Sequence, residues 1–210
     1  MNQATALNGA KKDQISGKGE LNNQITGLIF DFLKSKGITN HYIKQLSETE
    51  QLIQNVEIIP LEVVVRNIAA GSFSKRLAIP EGTPLKSPIV EFYYKNDELD
   101  DPMVIDAHIL TLELATAEEL TQLRQKALAV GEALTELFDS IDITLVDFKL
   151  EFGRQKDGSI LLADEVSPDT CRLWDKQTNE HLDKDIYRRD LGDIIPVYQE
   201  VLNRLEKRGE

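Results

Sequence analysis

"LVDFKLEFG", residues 145–153, alternates along its length: Val146, Phe148, Leu150 and Phe152 take one parity, and Asp147, Lys149 and Glu151 take the other. Side chains of a strand point to opposite faces in turn, so the pattern predicts a strand with one apolar face and three charges projecting together from the other. "QKDGS" (155–159) follows, and then a second apolar run, "ILLADE" (160–165). Asp-Gly between two such runs signals a hairpin. With Asp157-Gly158 as a two-residue loop, Lys156 pairs with Ser159 and Glu151 falls opposite Asp164. Like charges in that position, with Cβ atoms about 4.5–5.5 Å apart, repel. They need a cation between them or a shared proton, and Mg²⁺ held by one or two carboxylates plus phosphate oxygens suits the place. A solvated polar face is the ordinary reading of an Asp/Glu pair. Here Asp147, Lys149 and the tail "DEVSPDTCRLWD" (164–175), with Asp169 and Arg172, argue for a site instead.

Outward from the hairpin, Leu21, Ile25, Leu28, Ile29, Phe32 and Leu33 recur at helical spacing, predicting a helix over 16–36 that stops at Gly37. A second helix is expected over 117–138, with Glu118 and Glu119 at its positive end, and a third over 191–207. Strands are expected at 41–46, 56–70 (interrupted at Pro60), 88–95, 143–153 and 160–165, with a short helix opening at "AGSFSKRL" and an irregular segment up to Lys184. Helices and strands mix without regular βαβ alternation, so the fold class is α+β. The boundary expected from "IPEGTPLKSP" (79–88) divides the chain into residues 1–84 and 85–210.

Net charge is −12, from 24 Lys+Arg against 36 Asp+Glu, and no basic cluster is long enough to form a nucleic-acid or anionic-membrane surface. No apolar run approaches the ~18 residues of a membrane span. With a single cysteine, Cys171, the chain makes no internal disulfide, and a cytoplasmic setting is the simplest. Cys171 reads as a packed thiol, and His41, His108 and His181, without metal spacing, as surface or satisfied core residues. "GKG" at 17–19 lacks the spacing of a Walker loop.

The stretches "SGKGELNNQ" (16–24), "SETEQ" (47–51), "IPLEVVVRNIAAGS" (59–72), "YKNDELDDP" (94–102), "LVDFKLEFG", "ADEVSPDTCRLWD" (163–175) and "DKDIYRRDLG" (183–192) occur in an order that resembles the SAICAR synthetase family of purine biosynthesis. The resemblance implies a two-lobed fold laid out like ATP-grasp and kinase-type enzymes. It also implies an ATP-dependent ligase that joins L-aspartate to the carboxylate of carboxyaminoimidazole ribonucleotide (CAIR) through an acyl phosphate, giving SAICAR, ADP and phosphate. Glu151 and Asp164 are then expected to hold Mg²⁺ at the ATP phosphates, with Lys149 and Lys95 offsetting charge and Asp147 beside them as the further catalytic candidate. Arg66, Ser72 and Arg172 are expected at the ribose phosphate, Asp101, Asp169 and Arg188 at substrate, and Ile58 and Glu62 at the adenine hinge. Family members carry about thirty further N-terminal residues, forming strands with a "GKAK"-like turn. Met1 stands directly before "NQATALNG" here, so an incomplete N-terminal lobe is expected. A small-molecule kinase, or a nucleotide-binding module without turnover, would share many of these features, and self-association is left open.

Overall fold

The structure, a computed structural model, describes residues 2–6 and 11–208, so residues 7–9 of "NQATALNG" lie outside the described residues. In chain order the elements are β1 (Gln3–Ala6), β2 (Lys11–Gln14), α1 (Lys18–Ser35), β3 (Tyr42–Gln45), β4 (Gln51–Ile53), β5 (Glu57–Ile68), α2 (Gly71–Leu77), β6 (Pro84–Tyr94), β7 (Met103–Val104), α3 (Asp106–Thr111), α4 (Ala117–Asp139), β8 (Ile143–Arg154), β9 (Ile160–Ala163), β10 (Cys171–Asp175), α5 (Asp185–Arg188) and α6 (Ile194–Arg208). The main sheet is six-stranded and antiparallel, ordered β10-β8-β5-β6-β7, with β9 also paired to β8; β1-β2 and β3-β4 are separate ribbons. This is the α+β class expected.

β8 and β5 form the centre of the molecule. The apolar parity of β8 (Phe148, Leu150, Phe152) and Val63 and Val65 of β5 are buried. Leu123, Ala127, Val130 and Leu134 of α4 are buried in the same core. The helix comes close because Gly131 has no side chain: a Cβ there would lie 2.9 Å from Phe148 Cζ. α1 packs against α6 at the side, and ends at Lys36 with Gly37 in the left-handed region (φ +79°). Gly37 N–H donates to Lys34 O (2.9 Å) and Ile38 N–H to Leu33 O (3.0 Å), the paired bonds by which a left-handed glycine closes a helix.

Three expectations change. The hairpin loop has three residues rather than two: Gln155 pairs with Ser159, Gly158 takes φ +84°, and Glu151 therefore faces Ala163, with Asp164 one step beyond. β5 runs unbroken through Pro60, the disturbance appearing only as a register shift against β8 between Ile58 and Glu62. The segment before Lys184 contains β10, whose ladder with β8 slips between Arg172 and Leu173. The boundary expected at 84/85 coincides with the start of β6, which pairs with β5, so the main sheet runs through it. Pro88 falls where that ladder slips from Ile89 to Pro84, which is how a strand accommodates it.

α4 is tied to the far end of β8 by Glu119. Its carboxylate closes a capping box with Thr116 and accepts from Arg154 Nε at 2.5 Å. The bond from Arg154 holds the Glu119 carboxyl down at about 2, against an ordinary 4.5. A carboxyl with a depressed folded-state pKa stabilises above its unfolded value and loses that contribution as pH falls towards the folded one. Unfolding measured between pH 5 and pH 2 is therefore expected to fall less steeply with acid in Glu119→Gln than in the parent, and equal slopes would contradict the assignment.

Candidate active site

The face of the sheet away from α4 carries the charges. Register places Arg66 opposite Asp147, Val64 opposite Lys149 and Glu62 opposite Glu151 across the β5–β8 ladder. The like-charged pair anticipated in the hairpin is thus present, but across β5: Glu62 and Glu151 face each other. Lys149 Nζ lies between them, donating to Glu62 Oε1 (3.0 Å) and Glu151 Oε1 (2.8 Å), with Asp164 Oδ2 at 3.8 Å. Lys95 donates to the other Glu151 oxygen. Burial works against the Lys149 ammonium, but Glu151 and Glu62 outweigh it and keep the lysine protonated well above its usual range. Burial and the neighbouring Glu151 push the Asp164 carboxyl up, whereas Lys149 and Lys95 overcome burial to hold Glu151 down.

Four residues further along β5, about 13 Å at ~3.3 Å per residue, the arrangement reverses sign. Asp147, only 4% exposed, accepts from Arg66 Nη1 (2.8 Å) and, through both oxygens, from Arg172 Nη1 (3.1 and 2.9 Å). Glu91 takes Arg66 Nε (2.8 Å), Tyr93 Oη takes Arg66 Nη2 (3.2 Å), and Asp185 takes Arg172 Nε (3.1 Å) and Arg188 Nη1 (2.8 Å). Anions from three elements, β8, β6 and α5, therefore orient a group of guanidinium forks suited to phosphate. Ser72 Oγ lies 3.4 Å from Arg66 Nη2 at the start of α2. Gly71 explains how Arg172 gets there: at φ +53°, a Cβ would sit 2.7 Å from Arg172 Cζ. Gly71→Ala is expected to displace Arg172 and weaken binding of inorganic phosphate at this pole by about 10- to 100-fold; unchanged phosphate binding would contradict it.

Both poles open into one cavity of about 730 Å³. Of the residues proposed from the sequence, Lys149, Asp147, Arg66, Ser72, Asp101, Asp169, Arg172, Arg188, Glu62 and Asp164 line it. Glu151 lies behind Lys149, Lys95 reaches Glu151 from a half-exposed position, and Ile58 is 39% exposed outside the lining.

Sequence reasoning missed a third wall. Lys18, 2% exposed at the start of α1, is ion-paired with Asp169, whose other oxygen accepts from Tyr198 Oη of α6 at 2.6 Å. Lys184 lies close enough that, with Lys18, it holds the Asp169 carboxyl down against the effect of burial. Glu165, also lining the cavity, is pushed up to about 7 by burial and then by Asp169 and Asp164. The "GKG" stretch was the available signal: Gly17 is left-handed (φ +84°) and turns Lys18 inward. Cys171 is buried and its thiol is pushed up by that burial, so it is no nucleophile. Contrary to the lack of metal spacing in sequence, His181, Asp183 and Asp185 bring ligand atoms within 4.8 Å of one another. Asp185 is already committed to arginines, and both Asp183 oxygens accept backbone N–H groups, from Leu173 and Asp185.

The SAICAR synthetase family model matches residues 1–205. A phosphoribosylaminoimidazole-succinocarboxamide synthase of Enterococcus faecalis is 63% identical over 205 residues, spanning 98% of this chain and 86% of that protein. One from Listeria innocua is 59% identical over 204 residues, spanning 97% and 86%. Among solved structures, the synthase of Ehrlichia chaffeensis superposes with a TM-score of 0.95 at 51% identity, over 98% of this chain and 88% of that one. A SAICAR synthetase (Type-2) in complex with ADP gives 0.95 at 47% identity, over 97% and 87%. No helix among the described residues is long and apolar enough to cross a membrane. The two charged poles thus sit in a framework shared, over nearly the whole chain, with enzymes of one kind, and the protein belongs to the SAICAR synthetase family.

Proposed function

We infer that the chain condenses L-aspartate with the carboxylate of CAIR at the expense of ATP, giving SAICAR, ADP and phosphate. The observation that carries this reading is the pairing, on two adjacent strands, of an arginine pole and a carboxylate–lysine pole separated by about the length of a nucleotide. Arg66, Arg172, Ser72 and Arg188 hold the ribose phosphate of CAIR, which directs its carboxylate towards Lys149. A carboxylate oxygen becomes a leaving group only once phosphorylated, so the first step joins it to the γ-phosphorus of ATP with release of ADP. The aspartate amine then attacks the carboxyl carbon, the C–O bond breaks, and phosphate departs with that oxygen. Catalysis of such a transfer is chiefly positioning and charge neutralisation.

Glu151 and Asp164, with Glu62 beside them, fit Mg²⁺: the donors are all carboxylate oxygens, and lysine ammonium groups occupy the positions a hard cation would take. Bound there, Mg²⁺ would neutralise charge on the ATP phosphates. Lys149 and Lys95 supply further positive charge beside it, while Asp147 acts through the arginines it holds. Asp101 and Asp169, both in the lining, would meet the aspartate amine, and the Ile58–Glu62 segment of β5 would face adenine. We place the reaction in the cytoplasm, the simplest setting for a chain with a single cysteine.

Phosphate release measured with ATP, Mg²⁺, CAIR and aspartate, omitting each in turn, tests the reading. All four should be required. ADP formation from CAIR without aspartate, leaving a stable phosphorylated product, would favour a kinase.

A further inference from the structure

His41 is 5% exposed and belongs to neither pole, yet it touches the carboxylate pole from behind. Its backbone N–H donates to Leu162 O (2.8 Å) and its ring Nε2 lies 3.1 Å from Asp164 O. The carbonyl can only accept, so Nε2 carries the proton. Residues 39–41 run as an extra edge beside β9, with Leu162 N–H donating to Thr39 O (3.3 Å) and Asn40 bridged to Leu162 in parallel. The ring packs edge-on against Phe30, centroids 5.6 Å apart, while the His41 backbone is held on its other side by Gln54 N–H, which donates to His41 O (2.6 Å).

What it fixes is unusual backbone. β9 pairs with β8 only as far as Ala163, and the next residue turns into the left-handed region, Asp164 having φ +55°. Apart from glycine, asparagine and aspartate, L-residues avoid that conformation, and it persists where the surroundings hold it. The turn takes the Asp164 side chain out of the alternation of β9 and towards Lys149.

We propose that His41 is a positioning residue: its imidazole N–H stands in for the missing ladder partner at Asp164 and sets the direction in which that carboxylate meets a divalent cation. The inference rests on the reading of Asp164 as a metal ligand. Support of this kind behind a ligand is commonly worth about 10- to 100-fold in metal affinity.

Mn²⁺ binding in the presence of ADP, read from the EPR signal of the free ion, provides the test. His41→Phe keeps a ring against Phe30 and removes the donor; His41→Gln restores an N–H at the end of a flexible chain. The Phe variant is expected to bind Mn²⁺ about tenfold more weakly with CAIR affinity unchanged, and the Gln variant to recover most of the loss. Wild-type Mn²⁺ binding in His41→Phe, or parallel loss of Mn²⁺ and CAIR affinity, overturns the role of His41. Asp164→Asn, run alongside, separates the premises: unchanged Mn²⁺ binding there overturns the ligand assignment and this inference with it. If His41→Phe does not fold, His41→Leu, which also lacks the donor, takes its place: Mn²⁺ affinity reduced about tenfold supports the proposal, and affinity equal to the parent's overturns it.

Discussion

Glu151→Gln is expected to lower turnover by about 100- to 1,000-fold, the loss typical of removing one preorganised charge from a site of charge transfer. Glu151 is 2% exposed and each oxygen receives one ammonium group, from Lys149 and from Lys95. The amide preserves shape but removes the charge and presents an NH₂ group to one lysine. Lys149 keeps Glu62 as a direct partner and Asp164 nearby, so the fold should lose only about 1–3 kcal/mol. Rate and stability therefore separate: kcat measured on protein shown to be folded by circular dichroism should collapse, and saturating Mg²⁺ should not restore it. Turnover near that of the parent would remove Glu151 from the phosphate-handling pole.

Asp147→Asn is expected to act through the opposite pole. Its carboxylate lies between Arg66 and Arg172, with side chains 4% and 18% exposed. Neutralising it leaves two guanidinium groups facing one another without the anion that reconciles them. Breaking a buried ion pair by removing one partner usually costs about 3–5 kcal/mol. Glu91 still holds Arg66 and Asp185 still holds Arg172, which places the expected loss near about 3 kcal/mol. Because Arg66 and Arg172 then lose their common orientation, KM for CAIR should rise more than KM for ATP. Urea unfolding and substrate titrations check both parts; a stability loss below about 1 kcal/mol with unaltered CAIR binding would mean the clamp is not needed.

The sequence made one face of β8 legible because strand alternation is local: it needs only Asp147, Lys149 and Glu151 in order. The hairpin register was less legible. "KDG" serves a two-residue loop or a three-residue loop with a left-handed glycine equally well, and the longer one moved Glu151 from Asp164 to Ala163. The charge conflict inferred from the wrong register nevertheless exists, since Glu62 of β5 occupies the other side of Glu151. No local pattern announces that neighbour. β10 escaped notice because Arg172 and Trp174 alternate with Cys171 and Leu173 over only five residues, too few to establish a period. The wall of Lys18, Asp169 and Tyr198 joins the start of α1, a loop and the middle of α6, and only packing brings these together. For His41 the sequence leaves a surface and a satisfied core position open; the residue is buried, and no local pattern shows that its partner is the backbone of Asp164.

The chemistry itself is tested most directly by following one oxygen atom. With CAIR labelled with ¹⁸O in its carboxylate, activation by ATP and attack by aspartate should deliver one labelled oxygen to the inorganic phosphate released, because the C–O bond of the acyl phosphate is the bond that breaks. Unlabelled phosphate, with both ¹⁸O atoms still accounted for in CAIR or its product, would contradict the account.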